Sequence, residues 1–137
     1  MGAVYFIKLY FVGLGTILFF DFLWLGIGAN KFYKKELGDL VRTKDGKFDV
    51  VWPAATLVYL LAVLGLVVFV LPQTQGSLLR ALLFGGLFGL VGFSIYDFTN
   101  LSTIKNWPLK LTYIDLAWGT FNCALASAVM TLVAHLI

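Results

Sequence analysis

The sequence predicts an all-α, polytopic membrane protein built as one four-helix transmembrane bundle, and three observations carry that expectation. Hydrophobic residues make up 61% of the 137 positions and charged residues only 12%, against the roughly 25% charge of soluble globular domains. Mean hydropathy is +0.93. The remaining charges fall mostly between four apolar stretches, each near the ~20 residues needed to cross a ~30 Å hydrocarbon core. So little chain is left over that residues 1–137 form a single transmembrane domain, with helices expected at about 5–29, 51–71, 78–101 and 109–136.

The first stretch, Leu9 to Ala29, is broken only by Asp21. Its apolar run exceeds the ~7–15 residues of a signal-peptide core and is preceded only by Lys8, so it is expected to be retained as a span. The connection Asn30 to Asp49 interleaves Phe32, Tyr33, Leu37, Leu40 and Val41 with basic residues, which suits a short helix in the headgroup layer; Lys44-Asp45-Gly46-Lys47 then forms a turn. Trp52-Pro53 opens the second stretch, Val50 to Leu71, because Pro is tolerated in a first helical turn and Trp favours the interface. The third stretch, Ala81 to Leu101, carries Gly85-x-x-x-Gly89 and Gly92 as a smooth face. Trp107-Pro108 breaks the chain before the fourth, Leu111 to Ile137, whose small face is Gly119, Cys123 and Ser127; both small faces are expected to pack within the chain. Cys123, the single cysteine, has no intrachain disulfide partner and serves packing, and His135 lies at the interface.

Positive charge sets the expected orientation. The first connection holds Lys31, Lys34, Lys35, Arg42, Lys44 and Lys47, the third adds Lys105 and Lys110, and the opposite side has only Arg80 and Lys8. By the positive-inside rule the first and third connections are cytoplasmic and both termini face outward. The pI of about 9.1 therefore reports topology and contact with membrane lipid, not nucleic acid, because the basic residues flank apolar segments instead of lining one folded face.

Against this background Asp21, Asp97 and Asp115 stand out, each inside an apolar stretch. A carboxylate at membrane depth is costly unless protonated, paired or wetted, and so marks a functional site. With the expected orientation all three fall in the cytoplasmic leaflet; at 1.5 Å per residue Asp21 lies roughly 10 Å from Gly28, and Asp115 roughly 8 Å from Lys110. Each is followed three residues later by a polar side chain on the same helix face: Trp24, Asn100 and Trp118. Asn122 extends the fourth helix's face, and Tyr59 enters from the second helix at the level of Asp21. The expected site is an inward-facing pocket open to the cytoplasm, with Asp21, Asp97 and Asp115 as acids beside Tyr59, Tyr96, Asn100, Asn122, Trp24 and Trp118.

Three functions fit such a layer. The first is binding or transport of a proton, a cation or a small amphipathic solute, since three acids in one space repel unless they share protons or hold a cation. Four short helices are few for a transporter, which calls for a homo-oligomer. The second is a structural or accessory subunit in which Asp and Trp fix helix packing. The third is a metal-assisted enzyme acting on lipid or isoprenoid substrates. No cofactor is evident, but a divalent cation, if any, falls to Asp97, Asn100 and Asp115, with Asp21 as base. The balance leans away from catalysis, because Lys110 is the only basic residue near enough to hold a phosphate. No phosphate loop, dinucleotide fingerprint, zinc-protease motif, haem pair or nucleophile elbow occurs.

Asp21-x-x-Trp24-Leu25, Phe32-Tyr33, Tyr96-Asp97-x-Thr99-Asn100-Leu101, Trp107-Pro108 and Asp115-x-x-Trp118-Gly119 together resemble a family of small bacterial integral membrane proteins classified as a domain of unknown function (DUF2177). The likeness covers nearly the whole chain. It implies a four-helix protein of the bacterial inner (cytoplasmic) membrane, where outward-facing termini are periplasmic, and it implies no activity.

Overall fold

A computed structural model describes residues 2–137. Helix α1, Ala3–Trp24, runs into a π-helical turn, Leu25–Ala29, within which Gly28 adopts φ +114°. That backbone conformation is open to glycine and strained for other residues, and it bends the chain into α2, Asn30–Leu37. A 3₁₀ turn at Gly38–Leu40 leads to a two-stranded hairpin, β1 Thr43–Lys44 and β2 Lys47–Phe48. Its register pairs Thr43 with Phe48 and Lys44 with Lys47. Asp45 and Gly46 both take positive φ, 53° and 77°, as the two-residue type I′ loop requires.

Helix α3, Trp52–Gly65, carries Pro53 in its first turn, where the missing N–H costs nothing. It continues through a π-helical turn, Leu66–Val70, into the short α4, Leu71–Thr74. Pro72 accounts for the π turn: its ring would crowd the carbonyl four residues back, and a looser turn relieves the clash. Gln75 and Gly76 then reverse the chain in left-handed conformations. Ser77 caps α5, Leu78–Thr103, by accepting from the Arg80 amide at 3.2 Å. Helix α6, Leu109–Leu136, starts at Pro108, where the Trp107 indole N–H donates to Thr112 Oγ1 at 3.1 Å. Among the described residues, four helical segments are long and apolar enough to cross a membrane.

In lipid the helices gain little from burying apolar surface, since the solvent is as apolar as leucine; close backbone approach must hold them instead. The α5–α6 seam shows this. A Cβ on Gly89 would fall on the Gly119 carbonyl oxygen, one on Gly85 would lie 2.5 Å from Ser127 Cβ, and one on Gly119 would meet the Phe93 ring. The two small faces therefore pack on each other. Gly92 is not part of that face, having nothing within 4 Å of its Cβ position. The stripe continues every fourth residue instead, through Gly85, Gly89, Phe93 and Asp97. Helix α6 is the most enclosed span and also packs along α1. Over Trp52–Gly65 the α3 backbone runs close to that of α1 alone, reaching α5 and α6 through side chains near its end such as Val63 and at Gly65 against Phe88, and the backbones close up at Leu66–Val70. This one-sided packing leaves a gap between α1, α3 and α6 at the end where Asp21 and Asp115 lie. Below the gap, Ile17, Val63, Leu66, Val67, Cys123, Ala126 and Met130 form the core.

Candidate functional site

The gap is a cavity of about 240 Å³, bordered by Asp21, Trp24, Tyr33, Tyr59, Asp115, Trp118 and Asn122 among its polar side chains and by Ile17, Val58, Ala62 and Phe93 among its apolar ones. Asp21 accepts two hydrogen bonds from two different helices: Trp118 Nε1–H reaches Oδ1 at 3.0 Å, and the Tyr59 hydroxyl donates to Oδ2. Asp115 Oδ1 accepts from the Tyr33 hydroxyl at 2.8 Å, and Tyr33 Oη in turn accepts from Trp24 Nε1–H at 3.4 Å. Between them the Trp24 and Trp118 indoles stack in parallel, 4.7 Å apart and 10° from coplanar.

The connectivity is crosswise. Trp118 follows Asp115 by three residues yet serves Asp21; Trp24 follows Asp21 by three residues yet serves Asp115 through Tyr33. The i, i+3 spacing correctly puts each indole on its acid's helix face, but the face looks across at the other helix, and there the partner lies. Every donor to the two acids is a neutral O–H or N–H. The one ion pair among the described residues, Arg42 with Asp49 at 3.7 Å, is on the exposed connection. Lys110 sits over the Phe32 ring, 5.7 Å from its centroid, not on an acid. Two carboxylates thus share a cavity without a cationic partner.

Asp97 does not border this cavity. It is 0% exposed, on the α5 stripe that presses into α6, and neither of its oxygens has a donor. The glycines explain this placement: they bring α5 so close to α6 that the next residue of the stripe is sealed in the seam, where Asp115 is its side-chain neighbour. The single pocket of three acids expected from their common level is therefore divided, with Asp21 and Asp115 in the cavity and Asp97 behind Asp115. Tyr96 does not line the cavity and is 58% exposed, with its ring edge-on to Trp107, and Asn100 is half-buried outside the cavity. Among the described residues no three His, Cys, Asp or Glu side chains converge.

Asn122 does border the cavity. It is 5% exposed, its amide donates weakly to the Ile17 carbonyl at 3.5 Å, and its Oδ1 has no partner. Tyr33 is the site residue that pattern reading missed. It lies in a stretch whose basic residues mark it as interfacial, and only the Gly28 bend turns it back toward Asp115. A second cavity, about 460 Å³, lies at the opposite end between Leu9, Leu71, Thr74, Thr131 and His135, where His135 Nε2 is 2.9 Å from the Gly76 carbonyl.

Comparison with known proteins places the chain. Residues 6–132 match the family described as "Predicted membrane protein (DUF2177)", and the chain belongs to that family. No curated protein and no solved structure matches it.

Proposed function

We propose that this member of the DUF2177 family is a cation-binding protein of the bacterial inner membrane, in which Asp21 and Asp115 receive a cation or proton entering from the cytoplasmic side. The observation that carries this reading is the pair of carboxylates in one cavity with only neutral donors around them. Neutral donors orient a carboxylate and lessen the cost of its burial, but they leave its charge uncompensated at a depth where charge is expensive. A cation in the cavity supplies what the side chains do not. The cytoplasmic opening follows from the basic residues of the first and third connections, which cluster at the same end as the cavity.

Asp97 supports a role for protons at the same site. It faces Asp115 and has no donor of its own; two carboxyls can hydrogen-bond to one another only if one of them carries a proton. A proton shared between the two would give the cavity acid Asp115 a partner on its dry side. A purely structural role for the layer accounts for Asp21, whose bonds tie α1 to α3 and α6. It does not account for the unpaired Oδ1 of Asn122, which a helix clasp would have satisfied.

Infrared difference spectroscopy tests the reading. Asp carboxyl bands should respond to pH and to added cations, and Asp115→Asn should remove the cation response. Intramembrane carboxyls fixed in one protonation state, with no response to any cation, would reject it.

A further inference from the structure

We propose that the occupant of the cavity is a small organic ammonium ion carrying at least one N–H, the protonated form of a primary or secondary amine with a short hydrocarbon body. The inference rests on the cation reading above and specifies its chemistry. Asp115 and Asp21 supply negative charge with acceptor capacity to spare: a carboxylate offers about four acceptor sites, of which Asp21 uses two and Asp115 one on the tyrosine and tryptophan donors.

Independently of the acids, Asn122 borders the cavity, and its Oδ1 is buried and unpartnered. A buried amide oxygen without a donor is rare enough to require an explanation, and a ligand N–H is the group it lacks. The remaining wall selects the kind of cation. Calcium takes six to eight oxygen ligands and magnesium a near-octahedral set, usually built on several carboxylates, whereas among the described residues no three His, Cys, Asp or Glu side chains converge. Its other surfaces are the Trp24–Trp118 pair, Phe93 and aliphatic side chains. Aromatic faces attract an ammonium group within ~6 Å, and the aliphatic wall accepts a hydrocarbon body that a hydrated metal ion does not have. At roughly 30 Å³ per water-sized unit, 240 Å³ has room for a body of about eight heavy atoms.

Because Trp24 and Trp118 form the wall, their emission reports occupancy. The full-length protein in detergent is titrated at constant ionic strength with n-butylammonium, its neutral isostere n-butanol, tetramethylammonium and potassium, with melting temperature as a second readout. The expected result is a saturable change with butylammonium at a Kd at least tenfold below those of the other three. Asp115→Asn should weaken binding at least tenfold and Asn122→Ala several-fold. Butanol binding as tightly as butylammonium would overturn the role of charge, and tetramethylammonium binding as tightly would overturn the role of the N–H. Potassium binding without butylammonium would overturn the organic class while leaving the cation reading intact. If no cation alters emission or melting, both readings fail. None of these comparisons in the wild type depends on a variant that must fold.

Discussion

The crosswise wiring of the two acids can be measured directly. Trp118→Phe keeps an aromatic ring beside Trp24 but removes the Nε1–H that reaches Asp21 Oδ1 at 3.0 Å. A hydrogen bond to a charged acceptor contributes about 1.5–3 kcal/mol in soluble proteins, while pairs measured within membranes average ~0.6 and reach ~1.7 kcal/mol. The acceptor here is a half-buried carboxylate and the geometry is near ideal, so a coupling of about 1–2 kcal/mol between Trp118 and Asp21 is expected. The assay is a pair of double-mutant cycles on the unfolding free energy in mixed detergent micelles. One cycle combines Trp118→Phe with Asp21→Leu, the other Trp118→Phe with Asp115→Leu. In the second cycle the residues are three apart on one helix and are linked only indirectly, through the Trp24 stack and Tyr33, so their coupling should be the smaller of the two. A larger coupling of Trp118 to Asp115 than to Asp21 would show that each indole serves its own helix's acid, and would refute the network described here.

Three further outcomes follow from the same coordinates. Gly89→Ala places a methyl on the Gly119 carbonyl, where two backbones would have to separate, so a loss of about 2–3 kcal/mol is expected. Gly92→Ala, with open space at its Cβ, should instead be neutral or stabilising by up to ~1 kcal/mol; thermal unfolding of the two variants side by side checks both. Gly28→Ala forces an alanine into φ +114°, costing roughly 1–2 kcal/mol. The misplaced α2 should also withdraw Tyr33 from Asp115 and change Trp24 emission, whereas unchanged emission would mean that the bend does not position Tyr33. Asp97→Asn gives Asp115 a permanent amide donor in the seam, so its melting temperature should match or exceed that of the wild type while one carboxyl band disappears from the infrared spectrum; a loss above ~2 kcal/mol would contradict a shared proton.

The spans were legible because membrane insertion is a property of composition and length, and both are one-dimensional. The common level of Asp21 and Asp115 was legible for a similar reason: rise per residue and flanking charge fix depth. What depth cannot give is azimuth. Whether Asp97 faces the cavity or the seam depends on which side of α5 lies nearest α6, and that is decided by Gly85 and Gly89 against Gly119 and Ser127. The signal was present as an i, i+4 stripe from Gly85 to Asp97, but the glycines at 85, 89 and 92 were grouped by type and not by period. Tyr33 was harder to find. Its proximity to Asp115, 82 positions away, arises from one glycine φ angle and a π turn, and neither has a sequence signature strong enough to read.

Binding and transport can be separated at the core. A ligand passing from the Asp21 cavity to the one beside His135 would have to cross the buried core, in which the fully buried Met130 lies against Gly13. A Cβ on Gly13 would lie 2.6 Å from Met130 Sδ and 3.1 Å from Val63 Cγ1. The thioether is a flexible chain end that can shift to relieve the first contact, and alanine gains about 1 kcal/mol of helix propensity over glycine. Gly13→Ala should therefore fold normally while leaving less room at the constriction. The cargo is n-butylammonium, the ion of the binding test, with protein-free liposomes as the baseline because its neutral amine crosses lipid unaided. In proteoliposomes a carrier should show uptake that falls several-fold in Gly13→Ala with binding at the Trp24–Trp118 wall unchanged. Equal uptake in both proteins would exclude a route past Met130. Binding without uptake in either would make the cavity a receptor site, with the core beneath it as its floor.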